Sequence, residues 1–171
     1  KSTKKMISFH SEDQYELNKR EKFIKRGDPK SHPKWRNESV CLICTKNLVK
    51  LANQTKKKIH ILHITTAEEI ELLNKNKKYV SYEVTPQHLV LSSPSCYDKL
   101  GTLAQMNPPI RSLRHNKRLR QALKNNEIDI VGSDHAPHKL SEKKLEYPDS
   151  PSGMPGVQTL LPILLNEVSK K

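Results

Sequence analysis

The sequence is poor in aromatic residues and has no long apolar segment. Five Tyr, two Phe and one Trp occur in 171 residues, and they do not alternate with the lysine-rich runs. Because proteins that bind single-stranded nucleic acid place aromatic side chains among basic ones, the net charge of +13 favours a solvated basic surface over a nucleic-acid interface. No apolar run approaches the roughly 20 residues of a membrane span, so we expect no membrane contact.

Cysteine is also scarce, with three residues in the chain. Cys41 and Cys44 form a C-x-x-C pair, but a structural zinc site would need a second pair, and only Cys96 remains. Apolar residues recur at helical spacing around the pair, which favours two buried cysteines on a helix. An odd number of cysteines without a disulfide framework favours a reducing compartment, so we expect a cytoplasmic location.

Short β-like segments alternate with helical patterns, which favours an α/β fold with parallel strands. Predicted strands cover 6–10, 58–64, 79–85 and 129–133; predicted helices cover 37–53, 113–125 and 157–168, and a further one begins after Thr65 or Thr66. We expect loops over 27–36 and 137–155. No linker divides the chain, so residues 1–171 are predicted to belong to one domain.

Residues able to bind metal or transfer protons follow the predicted strands. His10, His63 and Asp134 lie at or just beyond strand ends. Because ligands bind at the carboxyl ends of strands in parallel α/β folds, we expect these side chains to share one site. His60 lies three positions before His63, which on a strand places the two on opposite faces. We therefore expect His60 to face the covering helices or to be a satisfied core histidine.

The segment 131–138, V-G-S-D-H-A-P-H, places one acidic residue and two histidines directly after an apolar strand. A carboxylate at a strand tip can bind a metal and also take a proton from metal-bound water. The alternative is that Asp134 caps the following turn with histidine packed nearby. The residues alone leave both possibilities open.

Six motifs, in order along nearly the whole chain, resemble those of class I dihydroorotases, which are metal-dependent hydrolases of a cyclic amide. They are H-S-E-D at 10–13, H-I-L-H-I-T-T at 60–66, V-T-P-Q-H-L at 84–89, M-N-P-P-I-R at 106–111, S-D-H-A-P-H at 133–138 and P-S-G-M-P-G-V-Q-T at 151–159. The resemblance implies an α/β fold, a TIM-type barrel of the amidohydrolase kind. This chain would form only its C-terminal half, about strands five to eight.

The resemblance also implies a zinc site of one or two ions. His10 and His63 match ligands of the second metal, and Asp134 matches a ligand of the first metal that also serves as general base and acid. Such a site would interconvert dihydroorotate and N-carbamoyl-L-aspartate in pyrimidine biosynthesis. Hydantoinases and allantoinases share the scaffold and are the alternative.

Four further residues match positions that contact the substrate. They are Asn107 and His138, together with Ser152 and Gly153 in a loop that would offer backbone contacts to the ring. The second histidine of S-D-H-A-P-H, His138, favours dihydroorotase over the sister families, because it helps to hold the substrate carboxylate. We expect Arg111 to be structural rather than a substrate clamp.

Two features of the family have no counterpart in this sequence. The H-x-H-x-R motif of the first barrel strand is absent, and so is the bridging Asp or carboxylated Lys after the fourth, which leaves the first-metal site incomplete. The length is also short of the ~250 residues of a complete barrel. Three possibilities follow: pairing with a separate N-terminal half, formation of a homodimer, or an inactive fragment. An inactive dihydroorotase-like chain could act as an interaction subunit for a carbamoyltransferase partner.

Overall fold

The computed structural model describes residues 5–170, in which four parallel strands alternate with helices. The strands are β1 (Ile7–Phe9), β2 (Ile59–Ile61), β3 (Val80–Val84) and β4 (Ile130–Val131), and they lie in that order across the sheet. The helices are α1 (Gln14–Arg20), α2 (His32–Trp35), α3 (Glu38–Thr55), α4 (Ala67–Asn74), α5 (Pro86–Val90), α6 (Ser95–Leu100), α7 (Leu113–Lys124), α8 (Leu140–Lys143) and α9 (Leu160–Ser169). Each predicted strand lies where expected, although each is shorter.

The register of the strands separates an apolar face from a polar one. Ser8 pairs with His60, and His60 pairs with Ser81. Because residues in register share a face of the sheet, these three side chains lie together. Glu83, two residues after Ser81, lies on the same face. This polar face is the one that a closed barrel would enclose.

The opposite face packs against the helices and forms the core. Its buried members include Ile61 and Tyr82 from the sheet, Val49 from α3, Ile70 and Leu73 from α4, and Leu119 from α7. Burial of each large apolar side chain contributes about 1.5–3 kcal/mol. Cys41 and Cys44 were predicted to be buried on a helix. Both lie on α3 as free thiols, but Cys41 is buried and Cys44 is only half-buried.

The start of α4 lies where the sequence placed it, whereas the last helix begins later than predicted. Thr66 and Glu69 form a capping box at the start of α4, in which each side chain accepts a hydrogen bond from the backbone of the other. Pro162 lies in the last helix without interrupting it, because α9 begins at Leu160, later than the predicted residue 157. The proline therefore occupies the first turn, where a missing N–H costs no helical hydrogen bond.

Short helices replace two of the predicted loops. Residues 27–36 include a single 3-10 turn and α2, and residues 137–155 include α8. These helices have four residues each, too short for a periodic apolar face to be visible in the sequence.

Both outer strands have an unpaired edge within residues 5–170. β1 pairs only with β2, and β4 pairs only with β3. Met6 beside β1 and Ile130 in β4 are 54 % and 48 % exposed. Such open edges favour pairing with further strands. Within the same residues, none of the helices has the length and apolar character required to cross a bilayer.

Candidate metal and substrate site

Two histidines meet where β1 and β2 end. His10 directly follows β1, whereas His63 lies two residues beyond β2 in the left-handed backbone region, with φ of 38°. His10 Nδ1 and His63 Nε2 are 3.0 Å apart. The structure thus brings together the two residues that match ligands of one metal.

Glu12 holds His10 in orientation. Its Oε2 accepts a hydrogen bond from His10 Nε2 at 2.9 Å, and Arg36 donates to the same carboxylate at 2.5 Å. Burial alone would raise the pKa of Glu12, but the hydrogen bonds from His10 and Arg36 outweigh it and hold the pKa at about 2. Glu12 is therefore ionised. A carboxylate that fixes the far nitrogen of an imidazole is the usual support of a zinc-ligating histidine.

His63 is 5 % exposed, and burial is the main cause that lowers its pKa to about 3, followed by the charges of His10 and His88. Its ring is consequently neutral at physiological pH, as a metal ligand must be. Within residues 5–170, His63 Nδ1 has no hydrogen-bond partner. If both rings are neutral, His10 donates to Glu12 and accepts from His63, so His63 Nδ1 carries a buried lone pair.

Asp134 lies at the tip after β4 in the left-handed region, with φ of 43°. Gln87 supports this tip by donating from Nε2 to the Ser133 carbonyl at 3.2 Å. Burial raises the pKa of Asp134 and the charge of Glu83 raises it further, while His10 acts in the opposite direction. Asp134 therefore lies within electrostatic reach of His10, although no hydrogen bond among residues 5–170 joins the two.

The donor set fits part of a zinc site. A tetrahedral zinc with Zn–N bonds of 2.0–2.1 Å separates two ligand nitrogens by about 3.3 Å. The 3.0 Å separation of His10 and His63 is close to this spacing. No three His, Cys, Asp or Glu side chains within residues 5–170 converge closely enough to form a complete metal site.

Asn107 is held by a buried histidine that the sequence did not single out. His32 is 1 % exposed, and its Nε2 lies 3.0 Å from the Met106 carbonyl and 3.1 Å from Asn107 Oδ1. One imidazole N–H shared between these oxygens orients the Asn107 amide, because the side-chain oxygen is engaged and the NH₂ group is left for other contacts.

The remaining predicted substrate contacts come together beside the β4 tip. His138 Nε2 is 3.3 Å from the carbonyl of Ser152. Gly153 has φ of 148°, and a Cβ there would lie 2.5 Å from the Ala136 carbonyl. Glycine is thus required for the loop to lie against the S-D-H-A-P-H segment.

His60 and Glu83 form a pair on the polar face that sequence reasoning missed. His60 is 4 % exposed, with Nδ1 2.8 Å from Ser81 Oγ and Nε2 3.2 Å from Glu83 Oε2. Of the two alternatives expected for His60, the structure shows a satisfied buried histidine, and its side chain lies on the polar face rather than towards the helices. The reason is that β2 ends before His63, so the rule of alternate faces does not extend to His63. The sequence did contain a signal for this polar face, because Ser81 and Glu83 are polar residues at alternate positions of β3.

Arg111 is structural, as expected. It is 3 % exposed and donates to Thr65 Oγ1 and Cys41 Sγ, each at 3.1 Å, and to the Arg36 carbonyl. These bonds link the polypeptide before α3, the start of α4 and the segment before α7, and they leave the guanidinium inaccessible to a substrate.

Comparison with known proteins identifies relatives of the whole described region. Dihydroorotase of Methanosphaera stadtmanae is 32 % identical over 99 % of this chain and 40 % of its own length. Dihydroorotase of Methanosarcina acetivorans is 35 % identical over 96 % of this chain and 37 % of its own. The chain therefore spans about two fifths of the length of these relatives. No family model matches it.

Solved structures confirm the predicted fold. L-hydantoinase (dihydropyrimidinase) from Arthrobacter aurescens superposes with a TM-score of 0.92, over 98 % of this chain and 39 % of that chain, at 24 % sequence identity. The four parallel strands and their helices thus have the fold of part of a TIM-type barrel.

Proposed function

This chain is homologous to a segment of the dihydroorotases, in the amidohydrolase superfamily, and from this premise we propose that it carries part of a zinc-dependent dihydroorotase site. The reaction would interconvert dihydroorotate and N-carbamoyl-L-aspartate, a step of pyrimidine biosynthesis. The observation that carries the proposal is the 3.0 Å approach of His10 and His63, with Glu12 bound to the far nitrogen of His10.

His10 and His63 would hold one zinc, and Asp134 would contribute to the other. When bound, zinc would polarise the ring carbonyl and provide a nucleophilic water at neutral pH. Asp134 would accept the proton of the attacking water and deliver it to the ring nitrogen as the C–N bond breaks. Burial and the charge of Glu83 raise the pKa of Asp134; this supports the double role, since a carboxyl group that both gains and loses a proton needs a raised pKa.

The substrate would lie between the segments that carry Asn107, His138, Ser152 and Gly153. The contact of His138 with the Ser152 carbonyl, and the close approach of Gly153 to Ala136, support a common surface for ring contacts. His138, which is exposed, would be available to the carboxylate of dihydroorotate.

The missing ligands would come from a polypeptide that supplies the rest of the barrel. The unpaired outer edges of β1 and β4 and the exposed Met6 and Ile130 support a partner that adds strands at both ends of the sheet. We favour an N-terminal half over a homodimer or a carbamoyltransferase partner, because the relatives extend well beyond the matched segment. We also propose a cytoplasmic location, in line with three free thiols.

Zinc quantitation and turnover assays test the proposal. The purified chain is measured alone and after mixing with the N-terminal half of a related dihydroorotase. We expect substoichiometric zinc and negligible turnover alone, and zinc binding with dihydroorotate hydrolysis in the mixture. Hydrolysis of hydantoin in place of dihydroorotate would favour the sister family, and zinc-free complexes without turnover would favour an inactive interaction subunit. A dimeric mass of the chain, measured without the N-terminal half, would identify a homodimer.

A further inference from the structure

Lys143, the last residue of α8, is a buried lysine outside the set of predicted site residues. It is 6 % exposed, and its ammonium donates to the carbonyl of Gln105 at 2.9 Å and to that of Pro151 at 2.8 Å. Within residues 5–170, no carboxylate forms an ion pair with it. Burial of this ammonium costs desolvation free energy, because two neutral carbonyl acceptors replace its hydration and no negative charge in the described part of the chain compensates it.

The two carbonyls belong to the two segments proposed to contact substrate. Gln105 lies two residues before Asn107, and Pro151 directly precedes Ser152. These segments are more than 40 residues apart in the sequence, and their mutual position is set by tertiary contacts. Lys143 thus bonds to both sides of the proposed ring-binding surface at once.

Gln105 strengthens the same connection. Its side-chain nitrogen donates to the Ser150 carbonyl at 2.7 Å and to Ser152 Oγ at 3.2 Å. Its carbonyl accepts from the backbone N–H of Gly153 at 2.9 Å as well as from Lys143. The Gln105 carbonyl is therefore shared between the lysine and the glycine loop.

The main chain of Lys143 is anchored independently of its ammonium. Its carbonyl accepts from Thr102 Oγ1 at 2.6 Å and from Ser150 Oγ at 3.2 Å. A substitution of the side chain therefore leaves α8 attached, while it removes the bonds to Gln105 and Pro151.

We propose that Lys143 is a positioning residue that sets the spacing between the Asn107 segment and the Ser152–Gly153 loop, and so determines how tightly the cyclic substrate is held. The inference rests on the proposed function. A neutral side chain of similar length would fill the volume without the desolvation of a charge, so stability alone does not account for an ammonium here. The ammonium instead forms two directed hydrogen bonds that fix the two segments relative to each other. Such positioning matters for the reaction, because misplacement of a substrate contact by about 1 Å can lower the rate as much as 100-fold.

Hydrogen exchange and steady-state kinetics test this inference on the chain complemented with its N-terminal half. The variants are Lys143→Met, Lys143→Gln and Lys143→Arg, and the matched control is Lys144→Met at the adjacent exposed lysine. We expect Lys143→Met and Lys143→Gln to accelerate amide exchange selectively in residues 105–111 and 151–156. The KM for dihydroorotate should rise roughly tenfold, with kcat within about threefold of the wild-type value and zinc content unchanged. Lys143→Arg should restore much of the KM, since a guanidinium can still bond to both carbonyls.

A purely structural role predicts a different result. In that case exchange would accelerate equally in β2 and β3, the melting temperature would fall, and KM would stay at the wild-type value; this outcome would overturn the inference. If the wild-type protein binds zinc but does not process dihydroorotate, the proposed function fails. The exchange data then decide separately: selective acceleration in the two segments supports the connecting role of Lys143, and uniform acceleration contradicts it.

Discussion

His10 and His63 are 53 positions apart in the sequence, yet their ring nitrogens lie 3.0 Å from each other. The proximity follows from the parallel pairing of β1 with β2, which brings two strand ends to the same edge of the sheet. Glu12 then fixes the orientation of one of the two rings. Several experiments follow from this arrangement and from the groups around it.

Replacement of Glu12 by Gln should weaken zinc binding without disrupting the fold. The amide cannot offer the negative charge that His10 Nε2–H contacts now, and loss of such a supporting carboxylate typically lowers metal affinity 10–100-fold. Competition with a chromogenic chelator measures the change. Glu16→Gln, on the exposed side of α1, is the matched control and should retain wild-type affinity. Equal affinity in both variants would remove Glu12 from the metal site.

Asp134→Asn should abolish most of the turnover of the complemented enzyme. An amide cannot take the proton from water or return it to the leaving nitrogen, and such proton transfer contributes about 10²–10⁴-fold to the rate. Zinc content is measured in the same sample, because it separates a loss of proton transfer from a loss of metal. Asp98→Asn, at an exposed ion pair with Lys30, should leave kcat unchanged. Full activity in Asp134→Asn would show that another group transfers the proton.

The free energy of unfolding should fall as the pH is lowered from about 6.5 to about 4. Burial lowers the pKa of His32 to about 4, so the unfolded chain takes up a proton at a higher pH than the folded chain does. Each pKa unit corresponds to about 1.4 kcal/mol, which gives a loss of roughly 3 kcal/mol from this residue. Denaturant unfolding at several pH values measures the slope.

In the variant His32→Gln the dependence on pH in this range should become shallower. Some dependence remains, because burial also lowers the pKa of His88 to about 4 and that of His63 to about 3. The control His138→Gln, at an exposed position, should keep the wild-type slope. An unchanged slope in His32→Gln would mean that folding does not shift the pKa of His32.

Gly132→Ala should destabilise the chain through Glu83. A Cβ at position 132 would lie 2.5 Å from Glu83 Oε1, so the carboxylate must move away and give up its contact with His60 Nε2, which costs roughly 1 kcal/mol. In the background Glu83→Ala, the same glycine substitution should cost much less, because the carboxylate that it meets has been removed. Unfolding free energies of the two single variants and the double variant give the coupling. Additive effects would show that the polar pair on the sheet does not contact the β4 tip.

The sequence placed most of the elements and the positions of the predicted site residues, because local signals are enough for both. Apolar runs marked the four strands, and a threonine able to cap a helix marked the start of α4. His10, His63 and Asp134 were predicted as site residues because polar side chains at strand ends stand out from the apolar residues before them. Helices of four residues escaped detection, since one turn shows no period.

The tertiary structure decided which groups touch, because contacts between residues far apart depend on strand order, register and loop conformation. The bonds of Glu12 to Arg36, of His60 to Glu83 and of Lys143 to Gln105 have no signature in local sequence. His60 is an example. Alternation along a strand predicted that His60 and His63 lie on opposite faces of the sheet, but β2 ends at Ile61, so the rule does not apply to His63. The order of the motifs in the sequence indicated the kind of barrel fold, and the packing of the loops determined which side chains meet beyond the strand ends.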